Sequence, residues 1–342
     1  MATATSSGQV TYAQLTTEQR LFYEMKLLER AIPNFMHIFF GLEGSVFPVA
    51  TLPENKGHQI QWNKLSALTA KTTALTEGIT PDPDDITVTT VTGTVYEYGA
   101  YIRYTRTMAA MGIHKIAAEA SDALGEQAGD SLDLITRAVL VAETANAQFA
   151  NGRANTASIV AGDYLTLVEV MKAMTTLRSN KAVGPLKNGN YPALLHPKSC
   201  YDMYADTLFQ SVLAYSKDRG EQNPWITGHI GTAFGVDFYE TANGYYANNG
   251  TVDVYSTMIL GKGSFGVGGL AAYMPQVIRE QQNKGNHTFE KVRPLRLIQK
   301  PFGSTGTADP FDRLASIAWY TTFCAIVLDN TFYVRIEHDV AL

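Results

Sequence analysis

The chain has 342 residues, of which 45% are hydrophobic and 17% charged, and it carries a formal net charge of −5. That length and apolar content exclude a disordered polymer and allow two or three domains with substantial cores. The acidic balance excludes a protein that grips nucleic acid through a broad basic face, because neutralising phosphates takes clustered Lys and Arg.

The opening, MATATSSGQVTYAQ, lacks the basic region and apolar core of a signal peptide and reads as polar to about Thr11. Thr16 and Gln19 have the spacing of a capping box for a helix running to Ile32, with Leu21, Met25, Leu28 and Ile32 on one apolar stripe. One such helix cannot make a core, so its stripe must bury against the main body or another subunit. Residues 31–52 are apolar, but Pro33, His37, Glu43 and Pro48 argue against a membrane span and for an irregular strap over protein surface.

In 57–107, GHQIQWNKL alternates as a strand with Ile60 and Trp62 on one side. A polar run rich in Thr, Pro and Asp follows, and then ITVTTVTGTVYEYGAYIRYTRT, dense in β-branched and aromatic residues. The pattern predicts a projecting hairpin whose return arm is roughly 50–65 Å long, with Gly93 and Gly99 permitting bends. A two-stranded ribbon is marginal by itself in water, so it is expected to lie on another surface. Ile60, Trp62, Val88, Val91, Tyr96, Tyr98 and Tyr101 are the side chains expected to bury against the next subunit.

From Gly112 to about Asn146 the apolar residues fall three and four apart: Ile113, Ala117, Ala120, Leu124, Ala128, Leu132, Ile135, Val139 and Ala142. This predicts a spine helix of roughly 50 Å, with a bend expected at Gly125 and Gly129. Asp163 is expected to cap a helix to about Ser179, with Leu167, Met171, Met174 and Leu177 inward. A buried strand at 191–195, a helix at 198–215, a loop at 216–231 and strands in GTAFGVDFYETAN and TVDVYSTMILGKGSFGVGGL complete an α/β unit. Finally Ala315, Ile317, Trp319, Phe323, Ala325 and Val327 alternate on one face of a long strand. Asp329 and Asn330 are the expected turn into TFYVRIEH, giving a closing hairpin.

In their order these elements resemble the major capsid (coat) proteins of tailed bacteriophages, the Hong Kong 97-type fold. The local sequences TVTTVTGTVYEYG (87–99), IGTAFGVDFYET (230–241), VYSTMILGKGSF (254–265) and KPFGSTGTADPFD (300–312) are similar to one large branch of that family. The resemblance implies an α+β coat subunit in four parts. These are an N-terminal arm (1–56), an extended loop (57–107), a peripheral domain with the spine (108–160 and 300–342) and an axial domain (161–299). It implies self-assembly into hexamers and pentamers of an icosahedral head around double-stranded DNA, in a virion put together in the host cytoplasm. The partners it implies are a portal protein and a scaffolding or decoration protein, with weak, non-specific contact to DNA and none to membrane. A cellular nanocompartment shell is the alternative sharing the fold, and a dinucleotide-dependent enzyme the alternative from another class.

The residues offer little chemistry. The run Gly261-Lys-Gly263-Ser-Phe-Gly266 matches GxGxxG after a strand, but Gly-rich sequence and Pro275 follow where a phosphate-binding helix would have to start. The seven His residues show no paired spacing, Asp82, Asp84 and Asp85 lack the glycine of a calcium loop, and no GxSxG is present. Cys200 and Cys324 stand alone, which speaks against a zinc site or a disulfide framework. Lys284, Lys291, Arg293, Arg296 and Lys300 read as an ion-paired surface. No catalytic residue, cofactor or metal is expected. The resemblance also raises an isopeptide lock between Lys64 or Lys71 and Asn330. That reaction needs a carboxylate in an apolar pocket, and Glu77 in a polar tip and Asp329 in an exposed turn are poor choices. A non-covalent lock is expected.

Overall fold

The computed structural model describes residues 27, 30, 31, 37, 49–52, 57–66, 68–74, 77, 78, 80, 83–111, 116–186, 188–215, 231–270, 295–304 and 309–342. Strands Val49–Leu52 (β1), Gln59–Leu65 (β2), Val88–Thr94 (β3) and Tyr96–Thr105 (β4) lead to helices Arg106–Met111 (α1) and Ile116–Ala142 (α2). Ala147–Phe149 (β5), Leu167–Ser179 (α3), Tyr191–Leu195 (β6), Pro197–Ala205 (α4) and Thr207–Tyr215 (α5) follow. The remaining strands are Thr232–Ala233 (β7), Val236–Glu240 (β8), Tyr245–Asn248 (β9), Asp253–Leu260 (β10), Phe265–Leu270 (β11), Leu295–Lys300 (β12), Leu314–Val327 (β13) and Tyr333–His338 (β14).

Among the described residues the strands form two larger sheets and the two-stranded ribbon β2–β3, around two cores. In the first sheet β13 is the hub, pairing antiparallel with β4, β12 and β11, and β1 adds to β11. The second runs β5-β14-β10-β6-β8-β7, with β9 also on β10. Alternation along β13 buries Ala315, Ile317 and Trp319 against the spine helix α2, and Trp319 donates its indole N–H to Gln127 at 3.2 Å. The spine is one continuous 27-residue helix, roughly 40 Å long. Its glycines mark a close approach: a Cβ on Gly125 would lie 2.5 Å from the Leu27 carbonyl oxygen, so only glycine lets the N-terminal segment cross there. Leu124, Leu132 and Leu140 are buried along the same face, each worth about 1.5–3 kcal/mol of transfer free energy.

The second core lies between α3 and the second sheet, where Leu167, Val170, Ala173, Met174 and Leu177 meet the fully buried strand β6. Its helix begins later than the sequence suggests. Asp163 caps no helix; its carboxylate accepts bonds from Arg153 Nε at 2.7 Å, Val160 N at 3.0 Å and Asn151 Nδ2 at 3.1 Å. Burial pushes that carboxyl upward, but those donors win and hold it below the usual range. Asp206 caps instead, taking the Leu167 N–H at 2.7 Å and the Leu208 N–H at 2.9 Å. The same residue divides the helix expected over 198–215 into α4 and α5.

Two further expectations are corrected. The long return arm is two strands: β3 pairs with β2, while β4 pairs with β13, and the Val95 N–H between them bonds the His58 carbonyl at 2.9 Å. The closing hairpin does not form either, because β13 and β14 belong to different sheets. The Ser264 carbonyl captures the N–H groups of Leu328 and Asp329, a 3-10 turn follows at Asn330–Phe332, and the chain crosses to β10. The chain end thereby ties the two cores, with Tyr333 in the first and Val334 and Ile336 in the second.

Two outcomes follow from this packing. Leu132→Ala should lower subunit stability by about 2–5 kcal/mol in urea denaturation, while Leu134→Ala on the solvent side of the spine should stay within about 0.5 kcal/mol. Asp202 is a second test. Burial first and Asp339 second push its carboxyl up to about 6, although it accepts the Ala341 N–H at 3.2 Å, and its other oxygen has no partner among the described residues. A folded-state value above the unfolded one favours the native state at low pH and costs stability as pH rises from about 4 through 6. Asp202→Asn should therefore stabilise the subunit by on the order of 1–2 kcal/mol at pH 8 and have little effect at pH 4, read from melting curves at both.

Candidate assembly interface

The ribbon β2–β3 has two chemically distinct faces. In register, Ile60 lies opposite Gly93, Trp62 opposite Val91 and Lys64 opposite Thr89. This face turns onto the subunit's own first sheet. Ile60 is 6% exposed and reaches Gly268, where a Cβ would come within 2.5 Å of its Cδ1. The Trp62 ring occupies the space that side chains on Gly93 and Gly266 would need. Lys64 then ion-pairs with Asp329 and lies over the Phe332 ring, 5.5 Å from its centre.

Ile60, Trp62 and Val91 thus share the face that packs at home. Glycine is what makes this possible: Gly93, Gly266 and Gly268 are flat spots on which large side chains rest. Asp329, expected in an exposed turn, is buried. Burial raises its carboxyl, but hydrogen bonds from Lys64 and Thr331 outweigh this and hold it below the usual range. Lys64 is accordingly engaged within its own subunit.

The opposite face is polar along its length, Gln59, Gln61 and Asn63 beside Thr94, Thr92 and Thr90, with Thr90 Oγ1 donating to Asn63 Oδ1 at 3.1 Å. Only its outer end is apolar. Leu65 and Val88 are opposite each other and 65% and 52% exposed, and Ile86 beyond them is 61% exposed. On β4, Tyr98 is half-buried against the first core, and burial, then Tyr96 and Cys324, raise its hydroxyl. Tyr96 and Tyr101 are exposed. Leu21, Met25 and Leu28 lie outside the described residues.

Sequence reasoning missed a buried pair. Asp133 sits on the inner face of the spine and accepts the His37 backbone N–H at 2.6 Å, while its other oxygen meets His37 Nδ1 at 2.8 Å. Asn243 approaches the same carboxylate at 3.4 Å. The signal was an aspartate between Leu132 and Thr136 on an apolar helical stripe, which demands a partner. The pair staples His37 to the spine.

The remaining chemistry is structural. Gly261–Ser264 is the turn between β10 and β11, Gly266 already lying in β11, with Gly263 at φ +79° and Gly261 pressed against the Phe332 carbonyl. Burial pushes the Cys200 thiol up to about 12 and the Cys324 thiol to about 11, which leaves both protonated and unreactive at neutral pH. Among the described residues no group of His, Cys, Asp and Glu is placed to hold a metal, and no helix is long and apolar enough to cross a membrane.

This spine, two-sheet body and projecting ribbon are the architecture of Hong Kong 97-type coat subunits. Solved phage shells share it. The capsid of Ralstonia phage GP4 superposes with a TM-score of 0.64 at 12% identity, covering 87% of this chain and 88% of that one. The head structure of Helicobacter pylori bacteriophage KHP40 gives 0.62 at 11% identity, covering 89% and 91%. The capsid of cyanophage Pam1 gives 0.60 at 15%, covering 84% and 86%. No curated protein matches significantly in sequence. A sequence profile for a family described as phage capsid protein matches residues 87–329, more than half of the chain. The chain belongs to that family: it is a structural protein of the virion and self-associates into the phage head shell.

The clamp gives a direct test. Trp62→Ala should free the ribbon base and accelerate amide exchange across 59–65 by at least about tenfold in the unassembled subunit, whereas Lys71→Ala, at an exposed ion pair, should leave it unchanged.

Proposed function

We propose that the subunit builds hexamers and pentamers by laying the outer end of its ribbon on a neighbour. The carrying observation is the exposure of Leu65, Ile86 and Val88, apolar side chains of the ribbon's outer end that the described residues of its own subunit leave uncovered. Apolar side chains grouped at a projecting tip are unfavourable in water and become stabilising once covered. Tyr96 and Tyr101 on β4 are also exposed, on opposite faces of that strand. In this reading 1–56 is the arm, 57–107 the extended loop, 108–160 with 300–342 the peripheral domain, and 161–299 the axial domain around the ring centres. Of the sequence-predicted set, Val88, Tyr96 and Tyr101 carry the contact between subunits, while Ile60, Trp62 and Val91 hold the ribbon to its own body and Tyr98 packs on the first core. Leu21, Met25 and Leu28 complete the set from the arm.

A phage head also implies a portal at one vertex and a scaffolding or decoration protein, and packaged double-stranded DNA touched weakly and without sequence preference. The acidic chain supports the last point. The family match favours a phage head over a nanocompartment, and the strand-turn-strand setting of Gly261–Gly266 removes the motive for a dinucleotide enzyme.

The lock is non-covalent in this reading, since Lys64 is engaged by Asp329 and Lys71 by Asp84 at 2.7 Å. Electron microscopy of the expressed chain should show closed shells. Boiling those shells in detergent should give one band near 37.4 kDa; a ladder at hexamer and pentamer masses would refute the non-covalent lock, and an absence of shells would refute the assembly reading.

A further inference from the structure

Where the spine meets the second sheet, polar side chains form one connected junction. Asp130, Asp133 and Arg137 fall three and four residues apart, which sets them on one stripe of the spine. His37 gives Asp133 its backbone N–H at 2.6 Å and meets the other carboxylate oxygen with ring Nδ1 at 2.8 Å. A carboxylate only accepts, so Nδ1 carries the hydrogen. The turn between β8 and β9 reaches the same stripe. Its Asn243 amide nitrogen lies 3.3 Å from Asp130 and 3.4 Å from Asp133. Arg137 donates to the Asn243 carbonyl at 2.8 Å and to the Gly244 carbonyl at 3.5 Å. The turn also presses on His196, since a Cβ on Gly244 would stand 2.8 Å from the His196 Cβ. His196 accepts the Lys198 N–H at 3.2 Å where α4 begins, and its ring lies 6.1 Å from that of Tyr246.

We propose that this junction is a conformational relay that couples the seating of His37 on the spine to the position of the β8–β9 turn. Two observations carry it. Asp133 is 0% and His37 1% exposed, so a donor lost from that carboxylate is not replaced by bulk water. The Asn243 amide stands at the long end of hydrogen-bonding range to two carboxylates at once, so neither holds it firmly. Withdrawing the His37 ring leaves Asp133 short of a donor, and the loosely held Asn243 amide is within reach. It closes on Asp133 and leaves the half-buried Asp130 to solvent. The turn follows its side chain, and Gly244 has no slack against His196.

Tyr246, 56% exposed, brings the change to the surface at the edge strand β9. Linkage makes the coupling reciprocal: whatever seats the turn more firmly also seats His37 more firmly. In a chain that self-associates, a contact that draws His37 off the spine thereby alters the presentation of Tyr246 without touching it. The relay needs only the folded subunit and stands apart from the ribbon contact proposed above. A second contact to the spine offers a comparison. Arg30 pairs with Glu126 at 3.2 Å, with side chains 60% and 52% exposed, and water can replace either partner there.

The test is amide hydrogen exchange in the full-length, unassembled subunit. His37→Ala keeps the backbone N–H that Asp133 accepts and removes only the ring. The Asn243 and Gly244 amides donate to Thr241 at 3.2 Å each, and their exchange should accelerate at least about fivefold. Amides of α3 from Val170 to Leu177, in the second core, should stay within about twofold, which separates a relay from general loosening. Asn243→Ala removes only the two long side-chain bonds and should accelerate the His37 amide at least about fivefold in return. Arg30→Ala should leave the turn unchanged. The proposal is overturned if the turn keeps its wild-type exchange in His37→Ala, or if α3 accelerates equally. It is also overturned if the His37 amide ignores Asn243→Ala, or if Arg30→Ala moves the turn as much as His37→Ala does. Should His37→Ala fail to fold, the response of the His37 amide to Asn243→Ala decides the matter.

Discussion

Everything in this subunit hangs on the burial of one face of β13 against the small-residue face of the spine helix. β13 pairs with β4, β12 and β11, so its side-chain alternation fixes which side of three other strands faces inward. Slipping its register by one residue would turn Ile317 and Trp319 to solvent and bring Ser316 and Tyr320 inward, and no other element could compensate. The spine accepts this strand because Ala120, Ala128, Gly125 and Gly129 keep its surface shallow, and Leu124, Leu132 and Leu140 fill the intervals. The same shallow surface admits Leu27 on the other side at Gly125. Close approach on both sides explains why so long a helix carries so few large side chains.

Much of this was legible in the sequence because the signals were periodic. The three-and-four spacing of the spine and the alternation of Ala315, Ile317 and Trp319 survive in the structure, as does the buried strand at Tyr191–Leu195. What failed was pairing. Strand character at 87–105 was clear, yet nothing local says that the arm changes partner at Val95. The Asp329-Asn330 turn likewise gave no sign that the chain would leave for another sheet. Hydrogen bonds from Leu328 and Asp329 to the Ser264 carbonyl, a residue 64 positions away from Leu328, decide that path. Asp163 and Asp206 teach the same point about caps. Both have the right chemistry, and tertiary position awards the role to the one that can reach two helix starts.

The packing of the ribbon within its own subunit was read less well, for a related reason. Aromatic and β-branched side chains on a ribbon announce burial but not by whom. Trp62 looked like an anchor for a neighbour, and glycines at 93 and 266, far apart in sequence, make it an anchor at home. Lys64 and Asp329 looked like an exposed amine and an exposed turn, and together they form the ion pair that holds the ribbon. His37 and Asp133 were each visible, but only the fold joins them.

The ribbon's two faces thus answer different requirements. Its inner face must be rigid in the free subunit, since a tip carried on a floppy base would lose more conformational entropy on docking and weaken every contact it makes. Trp62 on its glycine bed and Lys64 on Asp329 supply that rigidity before any partner arrives. Its outer face must remain soluble along the shaft, and the Gln and Thr rows do this without adding charge. Exposed apolar groups of the ribbon are confined to its last positions, Leu65, Ile86 and Val88. Exposed edges invite indiscriminate pairing between chains. Here the carboxylates beside Ile86 and Val88 repel one another between like tips. Selectivity for one mode of association over aggregation is therefore written into the charge next to the sticky residues rather than into the sticky residues themselves.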